Sequence, residues 1–424
     1  MWTFIHTLFL ALGAVVYLPL HSVKRWRQGR SSAALSERLG WVSLPQDVNQ
    51  GSVVWVHAVS LGETKALFPV IQKLRTEKPE LEFVFSFATS TAKEEAKRLY
   101  PFAKGYYYFP LDFPWIWRRF FNHLRPRLVI LSETDFWYEF LHSAKKVGAI
   151  TVLVNGKISN NSLKMFQRVR PYADAIFSHI DHFYLQNDIY LNRFAELGIS
   201  KERMHVTGNL KIDSLVSTEA PSPLDSLNQI KKDGDQIVVV ASTHPGEEKL
   251  ILDSLKPLLE THPQLKIWFA PRHPERFLNV FKDLQKEGLE TLLYSKVDKG
   301  HQGQDYRLLL LDKMGLLKSC FSECHLAIVG GSFVPVGGHN ILEVTHAERP
   351  VLFGPYMHTQ QEFVDLALRF KVGEQVEINR LQKAVEKSLH SVDPAFHEAC
   401  RSLFKESQGA AELTYSGIES CLKS

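Results

Sequence analysis

The sequence predicts an α/β protein of two Rossmann-like domains with parallel sheets, preceded by an apolar N-terminal segment. Three observations carry this. From Ser52 onward short apolar runs alternate with helical periods, which is the pattern of βαβ units. The alternation stops at Ser217–Asp235 (STEAPSPLDSLNQIKKDGD), a stretch rich in Ser, Pro and Asp, and then restarts. A chain of 424 residues also holds two domains of about 150 residues each, plus an extension. The domain reading is therefore an anchor at 1–22, a first domain at 23–216, a linker at 217–235 and a second domain at 236–424.

Met1 to Leu20 carries no charged residue, and His6 is its most polar side chain. At ~1.5 Å per residue a helix of that length just spans a hydrocarbon layer of ~30 Å. Lys24, Arg25, Arg27 and Arg30 follow it, and nothing basic precedes it. The positive-inside rule then puts the body of the chain in the cytoplasm, with Trp26 and the basic cluster at the anionic headgroups. A shallow interfacial helix is the alternative reading; both place the protein at the cytoplasmic face of a membrane.

In the first domain Ser52–His57, Leu81–Phe87, Arg127–Leu131 and Ile150–Val154 read as strands buried on both faces. Glu63–Glu77, Thr91–Tyr100, Phe136–Val147 and Asp188–Leu197 read as the helices that follow strands. In the second domain the strands are Ile237–Ala241, Leu265–Ala270, Arg307–Leu311, Ala327–Val329 and Pro350–Phe353. Glu247–Glu260, Pro274–Glu287 and Leu316–Cys324 are its expected helices.

Composition narrows the function. Hydrophobic residues at 45% and charged residues at 23% exclude a disordered, collagen-like or coiled-coil architecture. A net charge of +4 is too balanced for a dedicated nucleic-acid binder. Four cysteines make no disulfide framework and fit a reducing compartment. Cys320-x-x-x-Cys324-His325 lacks the second ligand pair of a zinc site, so both thiols are expected in the interior. Asp233-Gly234-Asp235 precedes a strand, where a turn is expected. The chemistry is thus read as independent of metal and cofactor.

In open parallel sheets ligands bind beyond the carboxyl ends of the strands, so the residues after each strand are the candidates. Glu63 follows the first strand, either as a first-turn carboxylate on the helix dipole or as a general base. Ser132-Glu133-Thr134-Asp135 follows the third. Asp135 reads as a helix N-cap, whereas Glu133 has no such easy structural explanation. Lys211 lies in Gly208-Asn209-Leu210-Lys211-Ile212-Asp213, placed either to face an anion or to be solvated at the surface. In the second domain Arg272 and His273 follow a strand, where an arginine suits a phosphate. The glycine-rich stretch Gly330-Gly331-Ser332-Phe333-Val334-Pro335-Val336-Gly337-Gly338-His339-Asn340 leads into Ile341-Leu342-Glu343. Its backbone amides and a helix start near Asn340 are expected to bind phosphate, with Glu343 placed for a ribose diol; a glycine-rich turn that holds no ligand is the alternative reading. Neither a Walker A nor a dinucleotide fingerprint is present, which argues against an NTPase or a dehydrogenase.

These motifs, in this order, resemble the Kdo (3-deoxy-D-manno-octulosonic acid) transferases over nearly the whole chain, from the anchor to about residue 370. Gly-Ser-Phe-Val-Pro-Val-Gly-Gly-His-Asn is the most specific piece. The resemblance implies a GT-B fold, two Rossmann-like domains facing a cleft, in an inner-membrane enzyme of lipopolysaccharide synthesis. It implies CMP-Kdo as donor, the 6′-hydroxyl of a lipid A precursor as acceptor, and inverting transfer. It further implies Glu63 as general base, with Glu133 and Lys211 stabilising the transition state. Pro271, Arg272, Met314, Gly315, Leu316, Asn340, Ile341, Leu342 and Glu343 would hold CMP. The chain departs from the family at Leu316, at Asn155-Gly156-Lys157-Ile158-Ser159, where the family has an arginine, and at Trp137-Tyr138. Two further classes stay open: another nucleotide-sugar transferase on the same fold, or a non-catalytic membrane-bound nucleotide-binding protein.

Overall fold

The computed structural model describes residues 1–13, 33–217, 227, 230–297, 305–389 and 393–423. The basic cluster Lys24–Arg30, Trp26 and most of the linker lie outside the described residues. The chain forms two compact units, Met1–Ser217 with Ser407–Ser424, and Thr218–Glu406.

The first unit is built on a parallel sheet of β1 (Val53–Ala58), β2 (Glu82–Phe87), β3 (Gly105–Tyr108), β4 (Leu128–Ser132), β5 (Ile150–Gly156), β6 (His182–Leu185) and β7 (Met204–Val206). The spatial order is β3-β2-β1-β4-β5-β6-β7. The chain therefore runs outward from β1 in one direction and from β4 in the other. The point of reversal lies between β1 and β4, whose residues Val54 and Leu128 are in register. Both faces of β1 are buried because both are covered by helices. Val53 and Trp55 join one core with Trp117, Phe120 and Phe140, while Val54 and Val56 join the opposite one with Phe83 and Phe85. The indole of Trp55 meets its polar need by donating to Ser86 Oγ at 2.9 Å.

The C-terminal helix Ala410–Lys423 belongs to this first unit. The sequence pattern alone extends the second domain to residue 424, whereas the second unit ends at Glu406. Asp213 makes the join by accepting from the backbone N–H groups of Gly409 (3.0 Å) and Ala411 (2.6 Å). Arg127 donates to Leu422 O at 2.6 Å, and Lys73 pairs with Glu412. Gly417 permits the close crossing, since a Cβ there would lie 2.3 Å from the Tyr184 ring.

Residues 2–13 form a helix that docks on the first unit. Trp2 and Leu10 pack on its core. His6 lies 2.8 Å from the buried carboxylate of Asp112 and 2.7 Å from the Tyr172 hydroxyl. Asp112 also accepts from Trp117 Nε1 and from the backbone N–H groups of Glu139 and Phe140, which open a helix. No helix among the described residues is long and apolar enough to cross a membrane. The expected span at Met1–Leu20 is not shown among them, and residues 14–20 of it lie outside the described residues.

The second unit repeats the plan with β8 (Gln236–Thr243), β9 (Leu265–Pro271), β10 (Thr291–Leu293), β11 (Leu308–Leu310), β12 (Leu326–Val329), β13 (Val351–Phe353) and β14 (Gly373–Gln375). The order β10-β11-β9-β8-β12-β13-β14 reverses between β8 and β12. Val238, Val240, Ile267, Phe269, Leu308 and Ile328 fill its core. Cys320 and Cys324 are buried, and burial pushes the Cys324 thiol up to about 12. Asp233-Gly234-Asp235 forms a turn, with Gly234 at φ +88°.

Candidate functional site

In the first unit the charged side chains gather at the β1/β4 reversal. Ser60 caps the helix Leu61–Ala66 by accepting from the Glu63 N–H. The Glu63 carboxylate turns back to accept from Val59 N–H and Ser60 Oγ, both at 2.9 Å. This resembles a capping box, except that the carboxylate reaches the N–H one residue before the cap, so Glu63 does serve the first turn. Each carboxylate oxygen still has a second lone pair for another donor. Glu63 is only 8% exposed. Burial raises its pKa, and the nearby Glu133 carboxylate adds to the rise.

Glu133 follows β4 in a left-handed backbone conformation, φ +59°, which costs a non-glycine residue ~1–2 kcal/mol. The strain is offset by two cations. Lys157 Nζ lies 2.6 Å from one carboxylate oxygen and Lys211 Nζ 2.6 Å from the other. Burial opposes ionisation of Glu133, but Lys211 and Lys157 overcome it and hold the pKa below the ordinary glutamate value. Asn155, also left-handed at φ +53°, ties the parts together. Its Oδ1 accepts from Leu210 N–H at 3.0 Å, at the start of the helix that carries Lys211. Two neighbouring carboxylates are thus pushed apart: Glu133 is held ionised, and Glu63 is poised to take a proton. Such a split is how a base and an electrostatic stabiliser are assigned to two like groups.

Three participants were not singled out from the sequence. In the sequence Lys157 stands out only as a departure from the family. Asp135 has the sequence position of an N-cap, but the helix starts at Tyr138, and Asp135 instead accepts from His57 Nε2 at 2.7 Å. Burial opposes its ionisation, and the hydrogen bond from His57 holds its pKa down. His57 is fully buried in β1, with Nδ1 2.9 Å from Ser86 Oγ. A histidine inside a strand buried on both faces was the available signal, because such a ring must find polar partners.

In the second unit the predicted nucleotide residues lie at and beyond the ends of β9, β11 and β12. Pro271 ends β9, and Arg272 beyond it is exposed. Arg276 is held back by Thr243 O (3.0 Å) and Glu248 (2.9 Å). Met314 is exposed, Gly315 has φ +88°, and the Leu316 side chain is buried. Ile341 and Leu342 are also buried, so their route to a ligand is the backbone. Asn340 Oδ1 accepts from Leu342 N–H at 2.9 Å, and Glu343 lies in the short helix Leu342–His346.

The glycine-rich stretch differs from expectation. The N–H groups of Gly331 (2.7 Å), Ser332 (3.1 Å) and Phe333 (2.9 Å) donate to the buried carboxylate of Glu247, so they are not open to a phosphate. The glycines serve packing. A Cβ on Gly330 would lie 2.9 Å from Ser242 O, and one on Gly338 would lie 2.1 Å from Met357 Sδ.

Residues 33–214 match the family described as 3-deoxy-D-manno-octulosonic-acid transferase (kdotransferase). The chain is 35% identical over 392 residues to the 3-deoxy-D-manno-octulosonic acid transferase of Chlamydia muridarum, covering 90% of each chain. It is 31% identical over 395 residues to that of Haemophilus influenzae, covering 92% of this chain and 91% of the relative. Among solved structures it resembles a putative UDP-N-acetylglucosamine 2-epimerase from Listeria monocytogenes, with a TM-score of 0.60 and 11% identity. That match covers 87% of this chain and 96% of the other, a likeness of fold alone. The fold is that of GT-B-like glycosyltransferases, with two parallel-sheet α/β domains. The chain belongs to the 3-deoxy-D-manno-octulosonic acid transferase family and is a glycosyltransferase.

Proposed function

We propose that this chain moves Kdo from CMP-Kdo to the 6′-hydroxyl of a lipid A precursor, with inversion at the anomeric carbon, in lipopolysaccharide synthesis. The observation that carries the mechanism is the Glu63–Glu133–Lys157–Lys211 cluster at the β1/β4 reversal. Glu63 takes the proton of the acceptor hydroxyl as its oxygen attacks. The bond from the anomeric carbon to the phosphate breaks with its electron pair on the phosphate, and CMP leaves. Glu133 and Lys211 stabilise the transition state through fixed charge. The first unit receives the acceptor. The second holds CMP through Pro271, Arg272, Met314, Gly315, Leu316 and Asn340–Glu343.

The acceptor is a lipid, and the helix of residues 2–13 supports membrane attachment. Phe4 is 73% and Phe9 72% exposed, and Leu8 and Leu12 are exposed beside them. An apolar pocket of about 400 Å³ lies between this helix and Val169, Pro171 and Tyr172, lined on the helix side by Trp2, Ile5, His6 and Phe9. We place this helix in the interfacial layer on the cytoplasmic side of the inner membrane, with Lys24–Arg30 at anionic headgroups.

The test is incubation of the detergent-solubilised chain with CMP-Kdo and lipid A precursor, read by mass spectrometry. Gain of whole Kdo units is expected, and their number defines how many transfers the chain performs. No product, with CMP-Kdo intact at the end, would overturn the donor assignment.

A further inference from the structure

The second unit carries a pair of imidazoles that none of the assigned roles uses. His244 follows β8 and His339 lies in the loop after β12, the two strands between which the sheet order reverses. Their Nε2 atoms are 2.9 Å apart, and the rings are nearly parallel at 11°. Both are half-buried. His273, after β9, stands edge-on to His244 with ring centroids 5.5 Å apart.

The surrounding backbone is shaped around this contact. Ser242 takes a left-handed conformation, φ +57°, where the β8–β9 register shifts. Gly331 sits beneath the rings at φ +65°, and a Cβ there would lie 3.0 Å from the His339 ring and 3.4 Å from His244. Glu247 binds the two loops together. It accepts from His244 N–H at 2.8 Å and from three amides after β12.

Two Nε2 atoms at this distance share one hydrogen, so one ring donates and the other accepts. The neutral pair can take one more proton, on the free Nδ1 of the donating ring; a second would place two N–H groups head to head. Burial favours the neutral form of both rings, lowering His244 and taking His339 down to about 4. His273, Arg272 and Arg276 act on His244 in the same sense, and His273 and Arg272 on His339, while Glu247 opposes them at His244. Glu248 is already occupied by Arg276 and Thr243. An arriving phosphate reverses this balance, because an anion beside the pair favours its charged form.

We propose that His244 and His339 form the donor-phosphate subsite, and that binding a nucleotide phosphate draws one proton from solvent onto the pair. This rests on the assignment of the second unit to CMP. The subsite sits at the topological reversal of the sheet, where ligands of such folds bind. It also fills the phosphate-binding role that the glycine-loop amides, engaged by Glu247, do not.

The test is calorimetric titration of the full-length chain with CMP and with cytidine at pH 7.0, in two buffers of unequal ionisation enthalpy. Wild-type protein should show a buffer-dependent enthalpy with CMP that corresponds to uptake of up to one proton, and none with cytidine. His339→Gln and His244→Gln should each abolish the uptake and weaken CMP by about tenfold to a hundredfold, with cytidine affinity unchanged. The variants also report any proton taken up by the phosphate itself. CMP binding by wild type without proton uptake, or variants that bind CMP as wild type does, would overturn the subsite and leave the donor assignment standing. Failure of the folded wild-type chain to bind CMP would overturn both.

Discussion

Replacing Glu133 by Gln removes one charge and almost no volume, so its effect isolates the electrostatics of the cluster. The Glu133 side chain, 7% exposed, places its carboxylate 2.6 Å from each of two ammonium groups. Losing one partner of a buried ion pair costs about 3–5 kcal/mol, because the remaining charge is stranded. Here the side chains left behind, Lys157 and Lys211, are 32% and 25% exposed, and water recovers part of that. The net cost is about 2–3 kcal/mol. For a unit of this size each kcal/mol lowers Tm by about 2–4 °C, which gives a fall of about 5–10 °C. Differential scanning calorimetry reads it, and a double-mutant cycle separates the pair from general damage. In the wild-type background Lys211→Met should destabilise; in the Glu133→Gln background the same change should cost nothing or stabilise. Equal cost in both backgrounds would refute the account of Glu133 as the shared counter-charge.

Other consequences follow from the same geometry. A base acts only when ionised, so kcat should fall as pH drops through the raised pKa of Glu63. Glu133→Gln removes a negative neighbour, lowers that pKa, and should move the acid limb of the kcat profile to lower pH. Asp213→Ala breaks two backbone hydrogen bonds to a carboxylate and should free the helix Ala410–Lys423. Limited proteolysis should then remove that helix at least tenfold faster, for a loss of about 1.5–3 kcal/mol per bond. Phe4→Ser with Phe9→Ser should lower partitioning onto anionic vesicles by at least tenfold in a flotation assay, leaving Tm within about 2 °C.

The central strands were legible because a strand buried on both faces must be apolar throughout, as in Val53-Val54-Trp55-Val56. The edge strands were not, and neither was β6 beside β7. β7 and β14 are three residues long and carry Glu, His or Gln with no distinguishing period. Glu63, Glu133 and Lys211 were found from their places after strand runs and from the family resemblance. What joins them was hidden, since Lys157 and Lys211 meet Glu133 only when three separate strand ends converge. Glu247 shows the same limit. Its claim on amides 84 to 86 residues away reverses the local reading of the glycine stretch, and nothing near either segment announces it. The return of residues 407–424 to the first unit likewise depends on a tertiary bond to Asp213 that composition does not encode.

The most direct test of the central claim is single-turnover transfer by Glu63→Gln with CMP-Kdo and lipid A precursor, with CMP affinity measured on the same preparation. The account predicts a rate lowered by about 10²–10⁴-fold with CMP affinity kept within about twofold. Transfer at near wild-type rate would show that another group takes the acceptor proton, and would contradict it.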